Sequence, residues 1–385
     1  MAGNCFGNLF RVMTAGYTHG KEGVFAMIDG CPPGMPLDVA IDIQPQMERR
    51  RPGQSRLVTQ RNEPDYVEIL TGVVLAEGDV MVTDGTPITL SIANKGQRSE
   101  HYLDLEYVAR PSHANLSYMM KYGVFEYAGG GRASARLTAP IVAAGAIAEK
   151  ILRLKHGIEI VAYVKRVDDI EAKNYSSLEI TREDVDYWFG EDLVRCPDYD
   201  AARRMIERIH DVKKQGDSVG GVIECVVRNV PQGLGDPLYD KLEADLSKAM
   251  LSINAAKGFE LGVGFNNAGY RGSTHNDVPF RDESKSPVPV SMRTNRSGGI
   301  DGGISNGMPL EFRVAFKPVA TLLGNHKQET VDLKNFQNTI IGNTKGRHDA
   351  CVLPRAVPIV EAYAALTLIE HSMRQHITAE YLRIK

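Results

Sequence analysis

Residues 129–150 read GGGRASARLTAPIVAAGAIAEK, and the rest of the chain is organised around them. Three consecutive glycines let a backbone come close to a ligand with no Cβ in the way. Arg132 and Arg136 flank Ser134, whose hydroxyl can cap a following helix. From Ala135 the composition turns to Ala, Ile and Val, which reads as a buried helix over 137–154. A glycine loop, two cations and a helix N-terminus together form a seat for a phosphate or another anion. The same stretch also reads as a tight turn entering a core helix.

Upstream, residues 1–120 are rich in Gly, Pro and β-branched residues. Short apolar runs at 67–74 and 88–92, separated by turn signals, predict strands of an antiparallel sheet. Three loops there carry reactive side chains: TAGYTHG with His19, ERRRPGQSR with Arg50 and Arg56, and RPSHANLSY with His113. A histidine alone is more often structural than catalytic, and an arginine run is usually a solvated surface. The Pro-Gly inside this run instead predicts a loop that fixes guanidinium directions.

Downstream, strands are expected at 157–165, 219–230 and 310–316. Helices are expected at 201–214, from Asp236-Pro237 to about 256, and at 356–374. The polar, glycine-containing stretch 262–295 reads as mobile. GGIDGGISNG at 298–307 reads as a hairpin and lacks the spacing of a nucleotide-binding glycine motif.

The chain has 385 residues, 43% hydrophobic and 24% charged, with a formal charge of −3. It is long enough for a large core, and nothing in its charge predicts a nucleic-acid surface. Its five scattered cysteines show neither metal-ligand spacing nor a disulfide framework, as expected in a reducing compartment. No apolar run approaches membrane-spanning length and the N-terminus lacks a signal composition, so the expectation is a cytoplasmic protein without a membrane. No linker divides it, which predicts one domain over 1–385 with a polar tail at 376–385. The loops bring Arg, Lys, His and Asp toward one anionic ligand, and phosphorylated, carboxylated molecules suit such a site. The reaction does not follow from these residues.

In order and spacing, the loops resemble the chorismate synthase family over about residues 3–375. The carrying blocks are GNLFRV, IDGCPPGMPL, RRRPGQSR with TQRNEPD, RPSHA with KYG, and GGGRASAR with VAAGAIA. They continue through PQGLGDPLYDKLEADLSKAMLSINAAKGFE, RSGGIDGGISNG with FKP, and RHDACVLPRAVPIVEA. The resemblance implies an α+β layered sandwich, with core helices between antiparallel sheets, assembled as a homotetramer. It implies a 1,4-anti elimination of phosphate from 5-enolpyruvylshikimate 3-phosphate, giving chorismate with reduced FMN as cofactor and NADPH as a reductant for it. FMN contacts carry over to Arg132, Ala133, Ser134, Asn254, Ala255, Gly302, Lys317, Pro318, Val319, Ala320, Thr321 and Arg347. Arg50 and Arg56 carry over as substrate or NADP contacts. His19 is the expected proton donor to the leaving phosphate, His113 the residue beside the flavin, and Asp349 the residue that assists proton movement, with Ser134 also in the catalytic set. Such roles call for histidines that titrate near neutrality.

The chain departs from the family pattern at Tyr17, Asn115, Ala128, Leu137, Ile141 and Ala350, where Glu, Asp, Arg, Glu, Arg and Pro are usual. Leu137 and Ile141, four apart, read as a packed apolar pair in place of an ion pair. Two functions follow: an active enzyme, or a flavin- or phosphate-binding homologue whose reaction has been lost or changed.

Overall fold

In a computed structural model describing residues 3–18, 20–59, 63–95, 106–127, 130–324, 326–342 and 348–381, the central helix runs Ala139–His156. It begins two residues later than the composition predicts. Ser134 caps a 3₁₀ turn, Ala135–Thr138, by accepting from the Arg136 N–H, and Pro140 opens the α-helix behind it. Gly157, left-handed at φ 68°, ends it after a last turn carrying Arg153, Lys155 and His156, which suits the negative end of the helix dipole.

The helices that matter below are α1 (Gln44–Arg50), α2 (Asn115–Tyr122), α3 (Ala139–His156), α4 (Tyr199–Gln215), α5 (Leu242–Leu251) and α6 (Leu353–Tyr381). Two five-stranded antiparallel sheets pack on the central helices α3 and α6. The first is ordered Cys5–Phe6, Arg11–Gly16, Val24–Asp29, Ile88–Ile92, Val67–Thr71. The second is ordered Ala256–Leu261, Leu310–Phe316, Gly221–Arg228, Glu159–Val167, Ile170–Glu171. In the first sheet Val24, Ala26 and Ile28 are buried and Met27 is exposed, the period-two pattern of a sheet covered on one face. Helix α3 packs on this sheet and on α6, while α6 packs on the second sheet. The fold is α+β, with helices packed between antiparallel sheets. One apolar cluster runs through it from Phe10 to Ile369 and includes Leu137 and Ile141, so both departures sit in the core.

Three expectations needed adjusting. The 67–74 run breaks at Gly72, where φ is 88° and a Cβ would lie 2.6 Å from Ile88 Cα. The helix expected at 237–256 occupies only Leu242–Leu251, because 236–241 form a turn behind Gly235 (φ 108°) and Ala255 adopts φ 68°. Within 262–295 the chain folds into short helical turns and a hairpin, Pro279–Arg281 with Val290–Met292. Asp277 ties that segment down by accepting from the Arg296 and Ser297 N–H groups. Residues 298–307 form the expected hairpin, Ile300–Asp301 with Ile304–Ser305. Among the described residues no helix is long and apolar enough to cross a membrane.

The α3–α6 contact is close because Gly145 faces Ala362. A Cβ at Gly145 would lie 2.4 Å from Ala362 Cβ and 2.6 Å from its Cα. Gly145→Ala forces two core helices apart, a cost of about 1–3 kcal/mol by overpacking that exceeds its gain in helix propensity. Urea melts of parent and variant check this. Equal stability means that the helices separate freely.

Candidate active site

Seven chain segments line one cavity of about 650 Å³, Thr18 after the strand Arg11–Gly16 and six others. The six are the loop after α1, the turn before α2, the turn before α3, the α5-to-strand connection, the stretch after Leu310–Phe316, and the entry to α6. Of the residues expected at the site, Arg50, His113, Ala133, Ser134, Asn254, Ala255, Lys317, Pro318, Val319, Ala320, Thr321 and Asp349 all line it. Among its charged lining residues the cations Arg50, Arg110, Arg136, Lys257, Lys317 and Arg355 outnumber the carboxylates Glu63 and Asp349.

Arg50, the last residue of α1, is 1% exposed. Its Nη2 lies 3.4 Å from Asp65 Oδ2, while Nε and Nη1 have no hydrogen-bond partner among the described residues. Burial pushes its pKa down to about 9; Asp65 opposes this, and Arg355 and Arg136 add to it. Arg136 has the opposite character. It pairs with Asp65 and Glu63 and donates to Asn94 Oδ1 and the Ala93 carbonyl, both at 2.9 Å, so the fold itself engages it. Burial raises the Asp65 pKa, but Arg50 and Arg136 outweigh it and hold the carboxyl below its ordinary value. Thr18 also lines the cavity, with a buried Oγ1 that has no partner among the described residues.

His113 is surrounded by donors. Arg110 Nη2 lies 3.1 Å from Nδ1 and 2.7 Å from Nε2, and the Asn115 N–H donates to Nδ1 at 3.2 Å. Burial first, then Arg110, push the imidazole pKa down to about 3; the Asn115 hydrogen bond opposes this, and Lys317 and His348 add to it. The expectation of a histidine titrating near neutrality is therefore corrected: an imidazolium here has cations around it. Asn115 uses both ends of its amide, accepting from Arg110 N and donating to the Val108 carbonyl at 2.7 Å. An ionised Asp could not make the second bond.

Protonation of His113 is therefore linked to folding. Its folded pKa lies below the unfolded value of about 6.5, so its contribution is fully present above that value and is lost as pH falls toward 3. Between pH 7 and pH 5 this group alone should cost about 2 kcal/mol of stability. Urea melts at both values check it, because His113→Gln should lose that part of the slope. An unchanged slope places the ring in water.

Asp349 is held on both oxygens, by the Thr59 N–H at 2.8 Å and by Arg355 Nη1 at 2.7 Å. Lys317 Nζ donates to the Ser112 carbonyl at 2.6 Å, and burial and Lys257 lower its pKa. Asn254 Nδ2 donates to the Ala133 carbonyl at 2.8 Å, joining two walls of the cavity.

Other expected residues lie elsewhere. Arg132 donates to Asn4 Oδ1 and Thr14 Oγ1 and is not part of the lining. Gly302 sits in the Ile300–Ser305 hairpin, also off the lining. Arg56 is 59% exposed and pairs with Asp192 and Glu191 outside the cavity. His19 and Arg347 lie outside the described residues, as does Ala128. Tyr17 is exposed and Ala350 buried, neither on the lining. The sequence reading missed Arg110, Arg355, Thr18 and Lys257 as lining residues. Arg110 and Arg355 stood within the quoted blocks RPSHA and RHDACVLPRAVPIVEA, so a basic residue inside a loop block was the available signal.

Comparison with known proteins gives a consistent picture. A family profile described as Chorismate synthase matches residues 10–373. The Chorismate synthase of Synechocystis sp. is 51% identical over 372 residues, covering 97% of this chain and 98% of that protein. That of Opitutus terrae is 52% identical over 372 residues, covering 97% of each. A solved structure described as Crystal Structure of Chorismate Synthase aligns with a TM-score of 0.69 at 28% identity, covering 96% of this chain and 93% of that one.

Proposed function

The chain belongs to the chorismate synthase family and has that enzymatic function, and we propose that the cavity described above is where it acts. The reaction is the 1,4-anti elimination of phosphate from 5-enolpyruvylshikimate 3-phosphate: a ring C–H and a C–O bond break, and a new ring double bond forms. The phosphate leaves with the C–O pair, and the ring hydrogen is removed on the other face. The observation that carries the reading is Arg50, a buried guanidinium in the cavity wall whose Nε and Nη1 are uncommitted among the described residues. A buried polar group without a partner is costly, so two on one cation call for an anion.

The lining fits FMN on the same grounds. Ala133, Ala255 and Ala320 leave width for a flat ring system, while Lys317 and the arginines answer a phosphate. When bound, reduced FMN supplies electron density to the breaking C–O bond and recovers it, so the net change is redox-neutral. Lys317, Ala133, Ser134, Asn254, Ala255 and 318–321 are the residues proposed to hold it. Arg50, Arg110 and Lys317 orient the phosphate and carboxylates of the substrate. His19 is proposed to protonate the leaving phosphate. His113 is neutral at pH 7, and an anion bound beside it raises its proton affinity, which couples ring protonation to ligand binding. Asp349 offers carboxylate lone pairs for proton movement.

The alternative of a homologue with a lost reaction gains nothing from Asn115, Leu137, Ile141 or Ala350, which are buried and locally accommodated. The test is an anaerobic assay with the enolpyruvyl substrate and dithionite-reduced FMN. Turnover is expected there and not with oxidised FMN under air. Equal turnover in both overturns the cofactor reading, and none in either overturns the reaction. Replacing dithionite by NADPH asks whether the chain reduces its own flavin. Cytoplasmic location and a homotetramer belong to the same proposal, and light scattering checks the second.

A further inference from the structure

We propose that Arg355 is a positioning residue that acts through Asp349, clamping its carboxylate to the arginine loop. Arg355 lies in the first turn of α6, and its side chain is 11% exposed. Its two donor edges reach one partner six residues away and one on the distant arginine loop. Nη1 donates to Asp349 Oδ2 at 2.7 Å, and Nε donates to the Arg50 carbonyl at 3.2 Å. Asp349 Oδ1 meanwhile accepts the Thr59 N–H at 2.8 Å. The carboxylate is thus fixed at both oxygens by groups from opposite sides, and the loop that presents Arg50 is fixed at residues 50 and 59 by the same pair.

The planar fork of a guanidinium makes this bracket, because its Nε and Nη1 directions are set relative to one another. A lysine ammonium has donors too, but on a single nitrogen, so it cannot hold two partners at the separation of Nε and Nη1. With Arg355 removed, Asp349 keeps the Thr59 bond alone and turns about its terminal torsion, where rotamer wells are broad. Misplacement of a reacting group by about 1 Å can cost on the order of 10²-fold, and loss of an orienting partner typically costs about 10–100-fold.

The inference rests on the reading that this cavity carries out the elimination, and its test is a double-mutant cycle. Arg355→Ala should lower kcat by about 10–100-fold with KM changed little. In an Asp349→Asn background the same change should cost about twofold or less, since the group it orients is already gone. Arg355→Lys should recover part of the loss. Equal fold-losses in both backgrounds overturn the proposal and make Arg355 a direct ligand contact or a fold element. A raised KM with kcat kept overturns it too. A parent without turnover sinks the functional reading instead, and the same cycle read as affinity for reduced FMN then decides this one: coupling between the two positions supports the clamp, and additivity rejects it.

Discussion

His113→Ala is expected to lower turnover by about 10²–10⁴-fold while the variant still folds. The ring sits where the turn before α2 meets the glycine turn before α3. Gly130 has φ 89°, and a Cβ there would lie 3.1 Å from His113 Nε2 and 3.2 Å from Cε1. The glycine therefore makes room for the imidazole. The ring has Arg110 and the Asn115 N–H against it, and burial, then Arg110, push its pKa down to about 3 although the Asn115 contact raises it. Such a ring is neutral and gains a proton only when an anion arrives beside it. Alanine removes the group that couples the two events, and the arginine next to it keeps its charge. The anaerobic assay gives the loss in kcat, and a urea melt at pH 7 reports the fold. A loss under tenfold, or one matched by the unfolded fraction, makes the ring structural.

The opening stretch was legible because its signals are local: glycines, a capping serine and a long apolar run dictate a turn and a buried helix whatever surrounds them. What it could not reveal is which cation faces the ligand. Arg50 and Arg136 look alike in sequence, yet Asn94 Oδ1, the Ala93 carbonyl, Asp65 and Glu63 engage Arg136, and two Arg50 donors have no partner among the described residues. Those partners lie on other segments, so only the fold assigns the difference. Arg132 is similar: next to the glycines it reads as a ligand contact, but Asn4 and Thr14 draw its guanidinium toward the first sheet. The helix expected at 237–256 failed for a related reason. Asp236-Pro237 is a sound start signal, but Gly235 at φ 108° and the following turn displace the first helical residue to Leu242.

The contrast between the two arginines leads to an effect that separates function from stability. Arg50→Met keeps the apolar length of the side chain and removes its charge. Burial works against that charge: it pushes the pKa down to about 9, with Arg355 and Arg136 on the same side and Asp65 opposing. Each unit of such a shift is about 1.4 kcal/mol against the charged form. Asp65 does not lose its counter-ion in the variant, because Arg136 remains paired with it. Replacing a buried ion by an apolar side chain of similar volume is often neutral or stabilising. The expected melting temperature is therefore equal to the parent's or higher. Activity should move the other way, since a bound anion loses both uncommitted donors, with a fall in kcat/KM of about 10²–10³-fold. Thermal melts and the anaerobic assay, run on the same preparation, read the two together. A variant that is less stable but as active per folded molecule makes Arg50 a structural cation. One that is more stable and nearly inactive shows that the fold carries this charge for its ligand.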